Sequence, residues 1–375
     1  MTAERVLLTG GAGFIGSHIV DLLVERGYEV TVYDNLDPQV HGPARNLPAY
    51  FNPAARFVRG DVRDRAALAR EVRHADVVYH EAAAVGVGQS MYEIMHYCDV
   101  NTMGGAVLLD ILANEQHHVR KLLVASSMSI YGEGKYQCPE HGAVFPRLRP
   151  TAQLQIHEWE VRCPRCGVPA EACPTDEDKP LYPTSVYAVT KRDHEELFLS
   201  VGRAYKIPTV AFRYFNTYGP RQALSNPYTG VAAIFSGRLL NHAAPVIFED
   251  GDQTRDFVHV TDIARANLLA LETDRGDYEI FNVGTGRPVS IAHVARTLAA
   301  TLAPEVQPEI VGKFREGDIR HCYADIAKIQ GLLGFAPQVK FEDGMLDLIE
   351  WVRRQTAVDN FSSAARELER RGLTH

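Results

Sequence analysis

Val6-Leu7-Leu8-Thr9-Gly10-Gly11-Ala12-Gly13-Phe14-Ile15-Gly16 carries a short apolar run into a glycine cluster and out again into a helix-length amphipathic segment, residues 15–26. Gly11, Gly13 and Gly16 take the spacing G-x-G-x-x-G in the strand, turn and helix context that this motif requires. One glycine permits a tight turn, one lets backbone approach a pyrophosphate, and one packs helix on strand. The start of the helix adds N–H groups and a positive dipole end. Gly10, Phe14 and Ile15 complete the loop that would face a dinucleotide. Asp34 ends the next apolar run, 18 residues beyond Gly16. A carboxylate there accepts from both ribose hydroxyls and repels a 2′-phosphate, and Asn35-Leu36-Asp37 offers no Arg or Lys to receive one. The expected cofactor is therefore NAD rather than NADP. Asn35 and the pair Asp61-Val62, which follows the third run, are further candidates for the adenosine end.

Outward from this stretch, short apolar or β-branched runs at residues 5–8, 29–34, 56–59, 76–80, 121–126 and 209–213 are separated by amphipathic segments such as 15–26 and 103–115. Such alternation predicts βαβ units and an α/β fold: a Rossmann-type, doubly wound parallel sheet. The periodicity breaks between Gly132 and Pro180, where Pro, Cys, His and Arg dominate. Beyond Asn216 come loops at 219–230 and 249–255, a strand-like 278–283 and a helical C-terminus from about Gly344 to Arg371. The expected division is an NAD-binding domain in two parts, 1–135 and 179–215, a Cys/His-rich insert at 136–178, and a smaller α/β substrate-binding domain over 216–375.

A chain of 375 residues, 46% hydrophobic and 23% charged, has the composition of an ordinary globular protein, which excludes disorder, collagen and coiled coil. Its net charge of −8, with no basic stripe, argues against a nucleic-acid partner. Met1 to Arg5 leads directly into the first apolar run, and no stretch is long and apolar enough to span a bilayer. A cytoplasmic protein without membrane association is expected.

Tyr187-Ala188-Val189-Thr190-Lys191 sets a phenol and an ammonium four residues apart, on one face of a helix that starts near Thr184-Ser185. A nearby cation favours the phenolate and lowers the tyrosine pKa, as a general base near neutral pH requires. Ser126-Ser127-Met128-Ser129 lies just past the C-terminal end of the strand expected at 121–125, where parallel sheets place ligand-contacting groups. The 15 histidines form no H-E-x-x-H or comparable set.

With these elements in order, the sequence resembles the extended short-chain dehydrogenase/reductase family, in particular its nucleotide-sugar 4-epimerases. The likeness rests on Thr9–Gly16, Asp34, Asp61-Val62, Asn101, Ser127, Ile130-Tyr131-Gly132, Tyr187 with Lys191, Arg213-Tyr214-Phe215-Asn216, Arg255-Asp256-Phe257-Val258-His259-Val260 and Arg315-Glu316-Gly317-Asp318. It implies that Tyr187 is the base, that Lys191 tunes it and holds the nicotinamide ribose, and that Ser127 hydrogen-bonds the reacting sugar oxygen. Asn101, counted with the cofactor site, would support it structurally. Asn216, Arg255 and Arg315 would hold the diphosphate of a nucleotide sugar, with Ser90, Ser129 and Asp318 beside them. Two plainer readings stand next to these: Arg255-Asp256 as a structural ion pair, and Asp318 as a partner that only orients Arg315. The resemblance also implies a homodimer through the helices near 103–115 and 187–205.

Dehydratases of this family carry an Asp-Glu pair directly after the active-site hydroxyl residue, and this chain has Met128-Ser129 there. Methionine delivers no proton, so dehydration is disfavoured and reversible oxidation at C4 of the sugar remains. The alternatives are an oxidoreductase or decarboxylase that releases its keto product, and a catalytically silent, NAD-responsive binding protein.

Cys138-Pro139-Glu140-His141-Gly142 and Cys163-Pro164-Arg165-Cys166-Gly167 form C-x-x-H and C-x-x-C knuckles, each followed by a glycine. Four such ligands are the set a closed, structural Zn²⁺ requires. The alternatives are a slipped set that recruits Cys173 or His157, and reduced cysteines in a surface loop. A metal there would fold a flap between Tyr131 and Tyr187, close to the sugar. A similar segment marks the dTDP-L-rhamnose 4-epimerases, which the chain resembles more than the simplest UDP-galactose epimerases.

Overall fold

The computed structural model describes residues 3–375. β1 (Arg5–Thr9), β2 (Glu29–Asp34), β3 (Arg56–Arg59), β4 (Val77–His80) and β5 (Lys121–Ser127) share one parallel sheet with two strands from farther along the chain. Between them in sequence lie three short strands, β6 (Lys135–Cys138), β7 (Gly142–Val144) and β8 (Glu171–Cys173). The chain then returns to the main sheet with β9 (Thr209–Tyr214), passes through β10 (Asn216–Tyr218), β11 (Val246–Ile247) and β12 (Thr254–His259), and adds the last sheet strand, β13 (Ile280–Val283). The seven strands stand in the order β13-β9-β5-β4-β1-β2-β3.

The sequence of each strand explains its place. β4, β5 and β9 are buried along their whole length. They read as continuous apolar runs because helices cover both faces of a parallel sheet. β3, at the edge, begins and ends on an exposed arginine, which blunts a free edge against further pairing. The helix Phe14–Glu25 packs with Val260–Leu271 on one face, while Arg65–Val72, Gly104–Asn114 and Val186–Tyr205 pack together on the other. Strand order reverses between β1 and β4, whose registers pair Val6 with Val77 and Thr9 with His80.

A second core gathers β10, β12 and the helices Val231–Leu240, Ile291–Leu302 and Phe341–Val352. The helical C-terminus is two helices, Phe341–Val352 and Phe361–Arg370. The turn between them is tied down where Val358 N donates to Ser225 Oγ and Asn360 Nδ2 donates to Ser225 O. Among the described residues no helix is long and apolar enough to cross a membrane.

The cysteine-rich segment forms its own antiparallel sheet, β7-β6-β8, over a small core of Tyr136, Cys138, Val144, Val161, Cys163 and Ala170. Gly134 N donates to His321 O, Thr175 N to Tyr323 O and Asp325 N to Thr175 O, so the segment is stitched to the C-terminal part of the chain. Its few apolar residues cannot bury enough surface to stand alone, and the backbone edge at 321–325 is the partner that completes it.

The helix Val186–Tyr205 is fixed to the sheet by a buried ion pair. Glu195, 2% exposed, accepts from Arg213 Nε at 2.9 Å and Nη2 at 2.6 Å, and from Ser126 Oγ at 3.0 Å. Arg213 Nη1 donates to Tyr131 OH and to Glu177 O. Removing one partner of such a pair strands a charge in the interior, so Glu195→Ala should destabilise the protein by about 3–5 kcal/mol. Urea unfolding followed by circular dichroism measures that loss, and a change below about 1 kcal/mol would contradict the assigned role of the pair.

Candidate active site and metal centre

A cavity of about 430 Å³ opens where the strand order reverses, and its wall runs from Gly13, Asp34 and Asp61 at one end to Ser127, Tyr187 and Lys191 at the other. The turn glycine is Gly10: its φ is +74°, and a Cβ there would stand 2.7 Å from the Ala82 backbone nitrogen. Gly16 is the packing glycine, since a Cβ on it would lie 2.4 Å from the Gly10 carbonyl oxygen. Gly11, expected on the cofactor wall, lies beneath it against Leu8 and Val32. Gly13 caps the helix Phe14–Glu25, no side chain caps its first turn, and no acidic residue sits there. Free N–H groups at a positive dipole end fit the pyrophosphate of a dinucleotide.

Asp34, 8% exposed, accepts from Ala12 N at 3.1 Å and Leu36 N at 2.8 Å and faces His41. Burial pushes its carboxyl pKa up, while those two N–H groups and His41 pull it down. Arg45, distant in sequence, returns to this turn, and its guanidinium is engaged by the carbonyls of Asn35 and Leu36. Asn35 Nδ2 donates to Asp61, and Arg63 holds the same carboxylate through Nε and Nη2, which keeps it well below the usual carboxylate range.

At the other end, Ser129 N and Oγ both donate to Ser127 Oγ, at 3.2 and 2.9 Å. That leaves the Ser127 proton free to donate, and its influence on Tyr187 favours the phenolate. Burial is the stronger effect and pushes the Tyr187 pKa up to about 12. Lys191 does not offset it. Its Nζ donates to Ala125 O at 2.9 Å, and burial pulls its own pKa down to about 8. The ammonium expected to lower the tyrosine pKa is thus weakened by the same desolvation that it was expected to counter.

Sequence reasoning missed Glu81, which follows β4 directly and lines the same cavity. It accepts from Tyr214 OH at 2.8 Å, and burial pushes its pKa up to about 7 while Lys191 pulls it down. The signal was available: Glu81 ends a parallel strand as Ser127 does. Asn216 Oδ1 is buried with no partner of its own, a free acceptor on the cavity wall.

Several candidates fall elsewhere. Asn101 is fully buried in a π-helical turn, where it bonds Ala84 N, Ala84 O and Thr190 Oγ1. With every side-chain polar atom satisfied by protein, it braces the helix Val186–Tyr205, which is structural support, and it is not on the cavity wall. Ser90, also fully buried, donates to Val87 O and accepts from Tyr187 N, so it is a helix brace and not a substrate contact. Arg255 and Asp256 do not pair. Asp256 accepts from Thr285, Gly286 and Ala324, and Arg255 donates to the carbonyls of Thr254, Ile319 and Arg320. Three of the five guanidinium donors are used in this way, leaving two for a ligand. Arg315 lies on Asp318 at 2.8 Å and stacks over Phe248, 4.6 Å from the ring centroid. Arg255, Arg315 and Asp318 thus form a second cluster, along the 315–320 segment and off the cavity wall.

Cys138, His141, Cys163 and Cys166 converge, with their ligand atoms all within 4.8 Å of one another. Cys138 Sγ is 3.6 Å from His141 Nδ1 and 3.7 Å from Cys166 Sγ. The sulfur separation is too long for a disulfide, about 2.05 Å, and matches the edge of a tetrahedron, about 3.8 Å, around a metal with Zn–S bonds of about 2.3 Å. Cys173 and His157 stand outside the set: Cys173 is beside Lys135 and Asp176, and His157 stacks on Trp159. The chemistry and spacing of the four donors fit a structural Zn²⁺.

Residues 6–152 and 166–284 match the model of the NAD dependent epimerase/dehydratase family. A dTDP-L-rhamnose 4-epimerase of Burkholderia thailandensis is 35% identical over 94% of this chain and 96% of its own length. A putative UDP-glucose 4-epimerase of Methanocaldococcus jannaschii is 33% identical over 93% of this chain and 98% of its own. The crystal structure of a Bacillus cereus UDP-glucuronic acid 4-epimerase with UDP-glucuronic acid and NAD superposes with a TM-score of 0.76 at 27% identity, covering 93% of this chain and 99% of that one. The glycine loop, the Ser127, Tyr187 and Lys191 cluster and these matches agree on one assignment: the chain belongs to the NAD dependent epimerase/dehydratase family, within the extended short-chain dehydrogenases/reductases.

Proposed function

We propose that the chain is an NAD-dependent nucleotide-sugar 4-epimerase whose substrate is a dTDP-L-rhamnose-type sugar. The observation that carries the reading is one cavity that joins an uncapped dinucleotide loop to Ser127, Tyr187 and Lys191, with Met128 and Ser129 where a dehydrating enzyme needs an acid. When bound, NAD supplies a reversible acceptor for the hydrogen on the sugar's C4. The helix start at Gly13 holds the pyrophosphate, and Asp34 takes the adenosine ribose. Tyr187 takes the C4 hydroxyl proton while Ser127, held by Ser129, hydrogen-bonds the same oxygen. Lys191 lines the same pocket, its pKa pulled down to about 8 by burial, and holds the nicotinamide ribose. The 4-keto sugar turns its other face, and Tyr187 returns the proton. Asn216 Oδ1 is an acceptor for the sugar nucleotide. Arg315, with Phe248 and Asp318, suits the base and diphosphate, and Arg255 adds its two free donors. The B. thailandensis relative supports the L-rhamnose substrate. The insert supports it as well, because a Cys/His segment like the one whose four side chains converge here marks the dTDP-L-rhamnose 4-epimerases that the sequence resembles. A homodimer is part of this proposal, since Met103, Val189 and Leu197 expose apolar side chains on the helical segments expected to pair.

The reading is tested by incubating the purified protein, with no added cofactor, with dTDP-L-rhamnose, UDP-glucose, UDP-glucuronate and GDP-linked sugars. One of them should convert to its C4 epimer with no net NADH and with little deuterium entering C4 in D₂O. Stoichiometric NADH would identify an oxidoreductase, released CO₂ a decarboxylase, and no conversion a silent binder. Conversion of a UDP sugar alone would overturn only the L-rhamnose part.

Tyr187→Phe should lower kcat by about a thousandfold or more while the nucleotide released by heat remains NAD, because only the proton-transfer group is lost. Near-normal turnover would remove Tyr187 from the role of base, and released NADP would remove Asp34 from its own.

Elemental analysis should find about one Zn per chain, and Cys163→Ser should lose that metal together with thermal stability. A metal-free preparation with unchanged melting temperature would contradict the zinc assignment.

A further inference from the structure

No residue of the insert lines the Tyr187 cavity, yet the insert sends an arginine into the interior of the C-terminal part. Arg149, 7% exposed, grips Glu249 with two nitrogens, Nη1 to Oε2 at 2.9 Å and Nη2 to Oε1 at 2.7 Å. The same guanidinium donates to Trp159 O within the insert and to Asp318 O outside it. Glu249 also accepts from Arg320, which is itself 1% exposed and binds Asp250 and the insert's Glu160. Two buried arginines from different parts of the chain therefore converge on one carboxylate. The backbone of that residue is unusual. Glu249 has φ +55°, a left-handed conformation that side-chain-bearing residues rarely adopt, and its N–H is tied to Lys313 O at 2.7 Å. Such a conformation persists where the surroundings over-determine it, and functional positions are where it concentrates. The residue just before it, Phe248, carries the ring on which Arg315 stacks, and Asp318, whose carbonyl Arg149 holds, is the partner of Arg315.

We infer that the Cys/His insert is a positioning element for the nucleotide half of the substrate: Arg149 and Glu249 fix the Phe248 turn and the Arg315–Asp318 pair in the geometry that receives a nucleoside diphosphate. This rests on the proposed reading that Phe248 and Arg315 meet the nucleotide. The ligand chemistry follows from the pair, a flat ring for a base beside a guanidinium for a diphosphate. The insert acts through binding. Proton transfer at Tyr187, whose cavity no insert residue lines, is untouched by it.

The test uses the NAD-loaded full-length protein, with dTDP and UDP as calorimetric probes and steady-state kinetics on the sugar nucleotide it converts. Arg149→Ala should weaken binding of the preferred diphosphate, and raise KM, by about tenfold or more, with kcat within about twofold of the parent and NAD content unchanged. Arg149→Lys, which keeps the charge and loses the two-pronged grip, should fall between. Glu160→Gln, a half-exposed insert residue that holds Arg320, should weaken the same binding in a protein that folds normally even where Arg149→Ala does not. Unchanged diphosphate affinity in Glu160→Gln and Arg149→Lys, or a loss of kcat at unchanged affinity, would overturn the inference. Failure of the parent protein to bind either dTDP or UDP would instead refute the proposed function on which it rests.

Discussion

The divergence of crossover helices between β1 and β4 is the constraint from which the rest of the structure follows. Connections to one side of this point run over one face of the sheet and connections to the other side over the opposite face, so no helix covers the C-terminal ends of the two strands. The gap must be filled by loops or by a ligand. Gly10, Glu81 and Ser127 all sit at strand ends that open on it. Their backbone is fixed by a sheet buried on both faces, and that rigidity lets a cavity made of loops hold reacting groups in place.

The electrostatics of this gap are set by desolvation before they are set by pairing. Tyr187, Lys191 and Glu81 are each pushed toward the neutral form, to about 12, 8 and 7. The two values near neutrality belong to a potential cation and a potential anion that influence one another. A small change in their surroundings shifts charge between states with little cost, which suits a site that must take up and return the same proton. A tyrosine and a lysine four residues apart on a helix do not create a low-pKa phenol by spacing alone. The depth of the pocket decides how much of the cation's charge survives.

What the sequence reveals and what it conceals divide along contact distance in the chain. The glycine loop, Asp34, the helix carrying Tyr187 and Lys191, and the two knuckles are written in residues a few positions apart, where turn chemistry and helical period fix the geometry. The spacing rule does not say which glycine makes the tight turn: Gly10 does, and Gly11 lies beneath the cavity against Leu8 and Val32. Ser90 and Asn101 were site residues by family resemblance, and the packing of the helix Val186–Tyr205 claims their polar atoms. Arg149 meets Glu249 across 100 residues. No periodicity or motif encodes such a contact, and so the docking of the insert on the C-terminal part was not legible, while the convergence of its four Cys and His side chains was.

The insert's own core makes its placement intelligible. Six buried residues around β6 cannot offset the entropy of ordering a segment of this length, and a metal cross-link and an external anchor are two ways to make up the difference. The Cys/His cluster is suited to the first and the backbone edge at 321–325 supplies the second. Neither requires Arg149. A buried, two-pronged ion pair is a poor way to gain stability, since an apolar pair of similar volume often does as well or better. What such a pair does well is fix direction, because a planar guanidinium holding both oxygens of a carboxylate leaves it little freedom to turn. Its presence beside the one turn that carries Phe248 makes orientation of that turn, rather than cohesion of the insert, the property that this arrangement serves.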